Sequence, residues 1–401
     1  MCVSLFNTRG NLLRILHYVP NFETLIGGRE NFVYGLVNHL KKFGIEQSIV
    51  TSGSDENSSR QTQFDGLTVF SLTERKFGAY VILKNLGKVL RRNEFDLINI
   101  HGYGEYTADM TCLLKKTGFL RVPIVLTTHG LSGLVNAYSA ISPASSLTPS
   151  QRIKRLPHLF YDFTLGRLEV ATFDRIIVVS EEEKSYLYRL GLKEQKKIVK
   201  IPVAVNDIFF SAPHNIAGER ENYVLYIGRL AEYKGLDTLV KAIKELRVAS
   251  NIELKCKIIG KNFGYLDELQ SLVHNLGITD LVEFIDHVPQ GKLVNYYSSA
   301  LVTVLCSLTE GFPLSLVESM AAGTPFVATP VGAIPDLADQ TKAGLIVPIG
   351  DAKALSDAIR QLIEDRNMWA EMSTSGRENA TRFRWDNIAR RYYDLYKDLV
   401  H

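Results

Sequence analysis

The sequence predicts an α/β protein with two doubly wound parallel sheets facing each other across a cleft. Three observations predict it. Short β-branched runs alternate with longer segments of helical period from Leu13 onward. The rhythm breaks over 204–222, a weakly periodic stretch with Pro213, His214, Asn215 and Gly218, and then restarts. Finally, 401 residues are long for one hydrophobic core, since domains run to roughly 100 to 200 residues. The expected division is 1–205, 206–376 and a helical segment 377–401.

Taken in order, runs at 14–19, 47–51, 67–72, 97–101, 123–128, 175–180 and 198–202 are the expected strands of the first domain. Amphipathic stretches such as 31–43 lie between them. After the break, runs at 223–227, 254–259, 282–285, 301–306, 325–328 and 345–347 supply a second sheet. The closing segment carries Trp385, Tyr392, Tyr393 and Tyr396. It is too aromatic to stay in solvent and is expected to pack back toward the first domain. In open parallel sheets ligands sit beyond the carboxyl ends of the strands, so the residues just after each strand are the ones to inspect.

After 223–227 comes Gly228-Arg229-Leu230-Ala231-Glu232-Tyr233-Lys234-Gly235. Arg229 offers a planar fork to phosphate oxygens, Lys234 a compact charge, and Gly235 opens a helix whose free amides favour anions. These are the features of a diphosphate site. After 301–306, Glu310 and Gly311 sit in a loop, and Glu318 falls about one turn into the helix that follows. Ionised carboxylates accept hydrogen bonds from paired hydroxyls, so one can read a sugar and the other a ribose. The amides of Phe312 and Leu314, at the helix start, are expected to face the same pocket. Taken singly, Glu310 reads as a helix cap and Glu318 as a surface charge; beside the basic turn, a sugar-nucleotide site is the better reading.

In the first half, Gly27 and Gly28 let backbone amides approach a phosphate. His101 and His129 each follow a strand and are expected to point into the cleft, where a neutral imidazole hydrogen-bonds a sugar oxygen. His17, inside the first strand, is assigned to the core.

The stretch Gly228 to Gly235, the pair Glu310 and Glu318, and 321–351 resemble the family four retaining glycosyltransferases, or glycosyl transferases group 1. Gly27-Gly28-Arg29-Glu30 and Thr128-His129-Gly130 match more loosely. The resemblance spans nearly the whole chain. It implies the GT-B fold: two Rossmann-like domains, the first for the acceptor and the second for the nucleotide sugar. It further implies that Arg229 and Lys234 hold the donor diphosphate, that Glu310 contacts the transferred sugar, and that Glu318 contacts the ribose. His101 and His129 would touch the sugar or assist the reaction, and the base would lie near Gly260, His287 and Val288. Retention at the anomeric carbon, and a reaction without metal or any cofactor besides the donor, are implied in the same way. Two departures stand out: Pro313 occupies a place where relatives often have glycine, and 201–206 lacks the usual Asn-Gly-Val-Asp wording.

Three other readings use the same fold: a sugar-nucleotide epimerase, a glycoside phosphorylase, and a catalytically silent nucleotide-sugar-binding protein. The donor sugar and base stay open. So does the acceptor, a glycan, lipid-linked or small-molecule hydroxyl, expected on loops such as 131–149.

Composition narrows the class. At 46% hydrophobic and 22% charged residues, disordered and collagen-like chains are excluded. No apolar run nears the ~18 residues of a membrane span, and the stretch before Arg14 lacks a signal-peptide centre, so a cytoplasmic protein is expected. Cys2, Cys112, Cys256 and Cys306 are widely spaced and read as buried apolar side chains. Residues 1–200 hold 26 basic and 18 acidic side chains, the remainder 20 and 25. Clusters such as Arg91-Arg92, Lys115-Lys116 and Lys196-Lys197 are either solvated faces or a means of peripheral contact with acidic lipid at the inner face of a membrane. They lack interleaved aromatics, so nucleic acid is not an expected partner.

Overall fold

The computed structural model describes residues 12–20, 22, 28–53, 60–77, 80–91, 95–130, 160–192, 194–213 and 223–400. The first sheet is built from β1 (Arg14–Tyr18), β2 (Glu46–Gly53), β3 (Arg60–Phe64), β4 (Leu67–Phe77), β5 (Tyr80–Leu83), β6 (Leu97–His101), β7 (Ile124–Thr127), β8 (Arg175–Val178) and β9 (Ile198–Lys200). Their order is β3-β4-β2-β1-β6-β7-β8-β9, with β5 on β4. The second sheet comprises β10 (Tyr223–Ile227), β11 (Lys255–Ile259), β12 (Val282–Ile285), β13 (Val302–Leu305), β14 (Phe326–Ala328) and β15 (Gly344–Ile346), in the order β12-β11-β10-β13-β14-β15.

All pairs in the second sheet are parallel. In the first sheet β3 and β5 run antiparallel to β4. These two were not expected from the sequence. Arg60–Phe64 is mostly exposed and polar, because an edge strand covers no core and needs no apolar alternation.

Central strands such as β6 and β7 are buried on both faces because helices cover both. Leu16, Ile98, Ile100 and Leu126 face one side with Ala108, Val170 and Tyr186. Ile15, Ile49, Leu97 and Val125 face the other with Val33, Leu36 and Val37. The C-terminal helix Trp385–Val400 closes this second layer through Ile388, Ala389, Tyr392 and Tyr396, so it does pack on the first domain. Asn99 Nδ2 donates to the Tyr396 hydroxyl at 2.5 Å across that contact.

The helix Arg366–Ala380 still belongs to the second domain, where Trp369 Nε1 donates to Leu301 O at 2.7 Å. The chain therefore returns to the first domain over 381–384, beside the outgoing segment 201–205: Val205 N–H donates to Phe383 O at 2.9 Å. A second tie joins the domains, where Lys200 Nζ and the Glu181 amide both meet Asp336 Oδ2, at 3.1 and 3.0 Å. Cys112, Cys256 and Cys306 are buried free thiols; Cys2 lies outside the described residues. Among the described residues no helix is long and apolar enough to cross a membrane.

Candidate active site

Chain order reverses beside β1 and β6 in the first sheet and beside β10 and β13 in the second. Loops leaving the sheet in opposite directions part at such a point and leave a crevice. A cavity of about 1050 Å³ lies between the domains, lined from both sides by the residues that follow these strands.

On the second-domain wall, β10 pairs with β13, so the turn after one strand lies beside the loop after the other. Lys234 Nζ meets Glu310 Oε2 at 2.5 Å, and Ser307 Oγ donates to the same oxygen at 3.2 Å. Two ligands thus occupy Oε2, and Oε1 is the oxygen these bonds leave over. Gly235 is required here. It sits at φ +61°, and a Cβ would stand 2.2 Å from Cys306 O, so any side chain would push the two loops apart. Arg229 is exposed, its guanidinium 5.5 Å from the Phe263 ring centre, and its carbonyl accepts from the buried Tyr226 hydroxyl at 2.9 Å. Gly228, Arg229, Lys234, Glu310, Gly311, Phe312, Leu314 and Glu318 all line the cavity.

The Leu314 amide does not face the cavity as expected. It donates to Phe312 O at 3.0 Å, because Pro313 at φ −84° and ψ 73° closes a three-residue turn. Glu318 Oε2 accepts from the Tyr297 hydroxyl at 2.8 Å, and burial raises its pKa to about 7. A carboxyl whose folded pKa is raised contributes most stability below its unfolded pKa, near 4.3, and that contribution is lost as pH rises through about 7. Glu318→Gln is therefore expected to flatten the loss of stability between pH 4 and 8 by roughly 3 kcal/mol. Urea unfolding across that range measures it, and an unchanged slope contradicts the assignment.

Gly260 and Val288 do not line the cavity. They follow β11 and β12, displaced to one side of the switch point. Gly260 packs on Gly228 instead, where a Cβ would lie 1.7 Å from its carbonyl oxygen, and Val288 lies at the margin of the second-domain core.

On the first-domain wall, Gly28 opens the helix Gly28–Leu40 at the cavity; Gly27 and the 131–149 segment lie outside the described residues. Arg29, which sequence reasoning did not select, donates from Nη1 to Glu105 Oε1 at 2.6 Å and to His101 O at 3.1 Å. Its place directly after the Gly pair was the available signal.

His129 lines the cavity with a left-handed backbone (φ +56°), a strained conformation for a residue with a side chain. The Phe32 ring meets its own ring edge-on, 5.1 Å between centres. His101 does not point into the cavity. It is fully buried behind His129, its Nδ1 2.7 Å from His129 Nε2 and its Nε2 3.0 Å from His17 Nδ1. Being the last residue of β6, it keeps the strand's inward alternation, while His129 lies beyond the end of β7. Burial lowers His129 to about 3, His17 to about 4 and His101 well below its usual value, so all three are neutral at pH 7.

The family model described as Glycosyl transferases group 1 matches residues 208–379, and that of Glycosyltransferase Family 4 matches 26–207. A D-inositol 3-phosphate glycosyltransferase of Acidothermus cellulolyticus is 30% identical over 295 residues, 70% of this chain and 62% of that relative's length. Its namesake in Corynebacterium glutamicum is 24% identical over 93% of this chain and 92% of its own length. Sucrose-phosphate synthase from Thermosynechococcus elongatus has a similar structure, with TM-score 0.75, 23% identity and 96% and 99% of the two chains covered. Anabaena Alr3699/HepE in complex with UDP superposes with TM-score 0.73 at 17% identity over 97% and 100%. These two structures share the GT-B fold with this chain. With the two family models together taking in 26–379, the chain belongs to the group 1, family 4 glycosyltransferases.

Proposed function

We propose that this chain is a retaining, metal-independent glycosyltransferase that moves a hexosyl group from a nucleotide-diphosphate sugar to a hydroxyl of a glycan, lipid-linked or small-molecule acceptor. The Lys234–Glu310 pair carries this reading. It sets a cation and a carboxylate side by side at the switch point, as a donor's diphosphate and sugar require. Relatives named as glycosyltransferases, and a similar fold solved with UDP, support a sugar-nucleotide donor.

Breaking the sugar–phosphate bond builds negative charge on the departing diphosphate. Arg229 and Lys234 stabilise that charge, which is the work a metal would otherwise do. Glu310, with Oε2 held by Lys234 and Ser307, is placed to accept a sugar hydroxyl rather than to attack carbon. The acceptor oxygen then bonds to the anomeric carbon on the face the phosphate leaves. Its proton passes to a β-phosphate oxygen, and the configuration is retained.

Calorimetric titration with UDP, GDP and ADP, with and without a chelator, tests the donor site. One nucleotide is expected to bind selectively and with unchanged affinity under chelation. Loss of binding with chelator contradicts metal independence, and failure of all three contradicts the donor site itself.

Contact with acidic lipid is part of the proposal. Phe160 and Phe163 are 73% and 53% exposed. The adjoining helix Arg167–Thr172 opens with the exposed Arg167, whose guanidinium lies 4.8 Å from the Phe163 ring centre. Apolar side chains beside cations suit an anionic bilayer surface. Cosedimentation with phosphatidylglycerol vesicles is expected to weaken several-fold in Phe160→Ser/Phe163→Ser; equal binding by the variant removes this part.

A further inference from the structure

The three neutral histidines form a row from the cavity into the core, and its inner end decides the proton positions along it. Gln47 is buried, and its Nε2 donates to Val37 O at 2.7 Å. Turning the amide over would set two oxygens against each other, so Oε1 must be the atom left for His17. Gln47 Oε1 and His17 Nε2 are both buried without a partner at hydrogen-bond geometry. The Gln47 side chain also favours the protonated form of His17, as an oxygen facing that ring does.

Only one proton order suits this end. With a hydrogen on His17 Nε2, a donor faces the Gln47 oxygen; with none, two acceptors face each other in a dry interior. His17 Nδ1 must then accept, so His101 donates from Nε2 and accepts at Nδ1. His129 in turn donates from Nε2. Its other ring nitrogen, Nδ1, is left without a hydrogen. His129 is half-buried and lines the cavity.

We infer that Gln47 and His17, acting through His101, fix His129 as the Nε2–H tautomer, so that its bare Nδ1 accepts a hydrogen bond from a substrate hydroxyl in the cavity. Gln47, His17 and His101 are positioning residues; His129 touches the substrate. The hydroxyl-bearing substrate rests on the transferase reading, whereas the tautomer does not.

The test separates the two. Protein carrying ¹⁵N-labelled histidine is studied by NMR without substrate, where the coupling pattern of each ring reports which nitrogen is protonated. The expected spectrum shows His129, identified by its loss in His129→Asn, with hydrogen on Nε2. Gln47→Leu and His17→Leu are expected to shift or mix that tautomer. In these variants kcat falls about tenfold, the loss of one hydrogen bond, with KM for the donor within about twofold of wild type. His17→Gln, which can both accept from His101 and donate to Gln47, is expected to restore the tautomer and kcat. A wild-type His129 with hydrogen on Nδ1 overturns the inference, as does a tautomer unmoved by both leucine substitutions. Should the leucine variants fail to fold, the wild-type spectrum alone decides. Failure of the transferase reading shows separately, as absent nucleotide binding in wild-type protein.

Discussion

Replacing Arg229 and Lys234 together by alanine is expected to lower kcat/KM by more than about 10³, since removing one preorganised charge from an oxyanion site costs roughly 10² to 10³. Both side chains line the cavity after β10, and Lys234 is largely buried, where its charge is less screened than at an open surface. Nucleoside diphosphate binding should weaken far more than nucleoside binding, because only the former carries the phosphates. Equal weakening of both would show general damage to the second domain. Lys234→Ala alone leaves Glu310 without its cation, in a site where Lys234 and Glu310 side chains are only 12% and 15% exposed. An unpaired, half-desolvated carboxylate is costly, so a drop in Tm accompanies this variant. Lys234→Arg, which keeps the charge, separates the electrostatic loss from the structural one.

The second large effect is expected at Glu310. Glu310→Gln preserves size and can keep one contact through its amide oxygen, but loses the negative charge that Lys234 meets at 2.5 Å. If Oε1 accepts a hydroxyl of the transferred sugar, turnover should fall about 10² or more while UDP or GDP affinity changes less than threefold, since the nucleotide alone lacks that sugar. Unchanged turnover ends this role for Glu310. Ser307→Ala removes only the 3.2 Å bond to Oε2 and should cost much less, which makes it a control for loop disturbance.

Much of this architecture was legible because parallel strands buried on both faces are built mainly from apolar, β-branched residues. The runs at Leu97–His101 and Tyr223–Ile227 announce themselves for that reason. Arg60–Phe64 does not, since its edge position asks nothing of its composition. The basic turn and Glu310 were legible as well, being charged residues in glycine-bearing turns after a strand, and Glu318 by its place one turn into the helix that follows.

Pairings across the sheet were not legible. Nothing local to Lys234 says that its partner is Glu310, 76 residues on; that follows from β10 and β13 being neighbours. His101 shows the same limit in reverse. Its position at the end of a strand suggested exposure to the cleft, yet β6 ends one step inside the layer and His129 covers it. The Leu314 amide, available by position in the helix, is consumed by a turn that only the Pro313 dihedrals reveal.

The sequence by itself determined the two sheets, the break between them, the residue types at the cleft and the family. These follow from burial periodicity and backbone propensity, which act over a few neighbouring residues. The tertiary structure alone decided that Lys234 holds Glu310, that Arg29 is committed to Glu105, and that His17 and His101 stand in line behind His129. Each of those depends on which strands lie side by side and on a fraction of an ångström in the approach of their loops. Such distances are fixed by the packing of the whole core and are encoded in no single stretch of the chain.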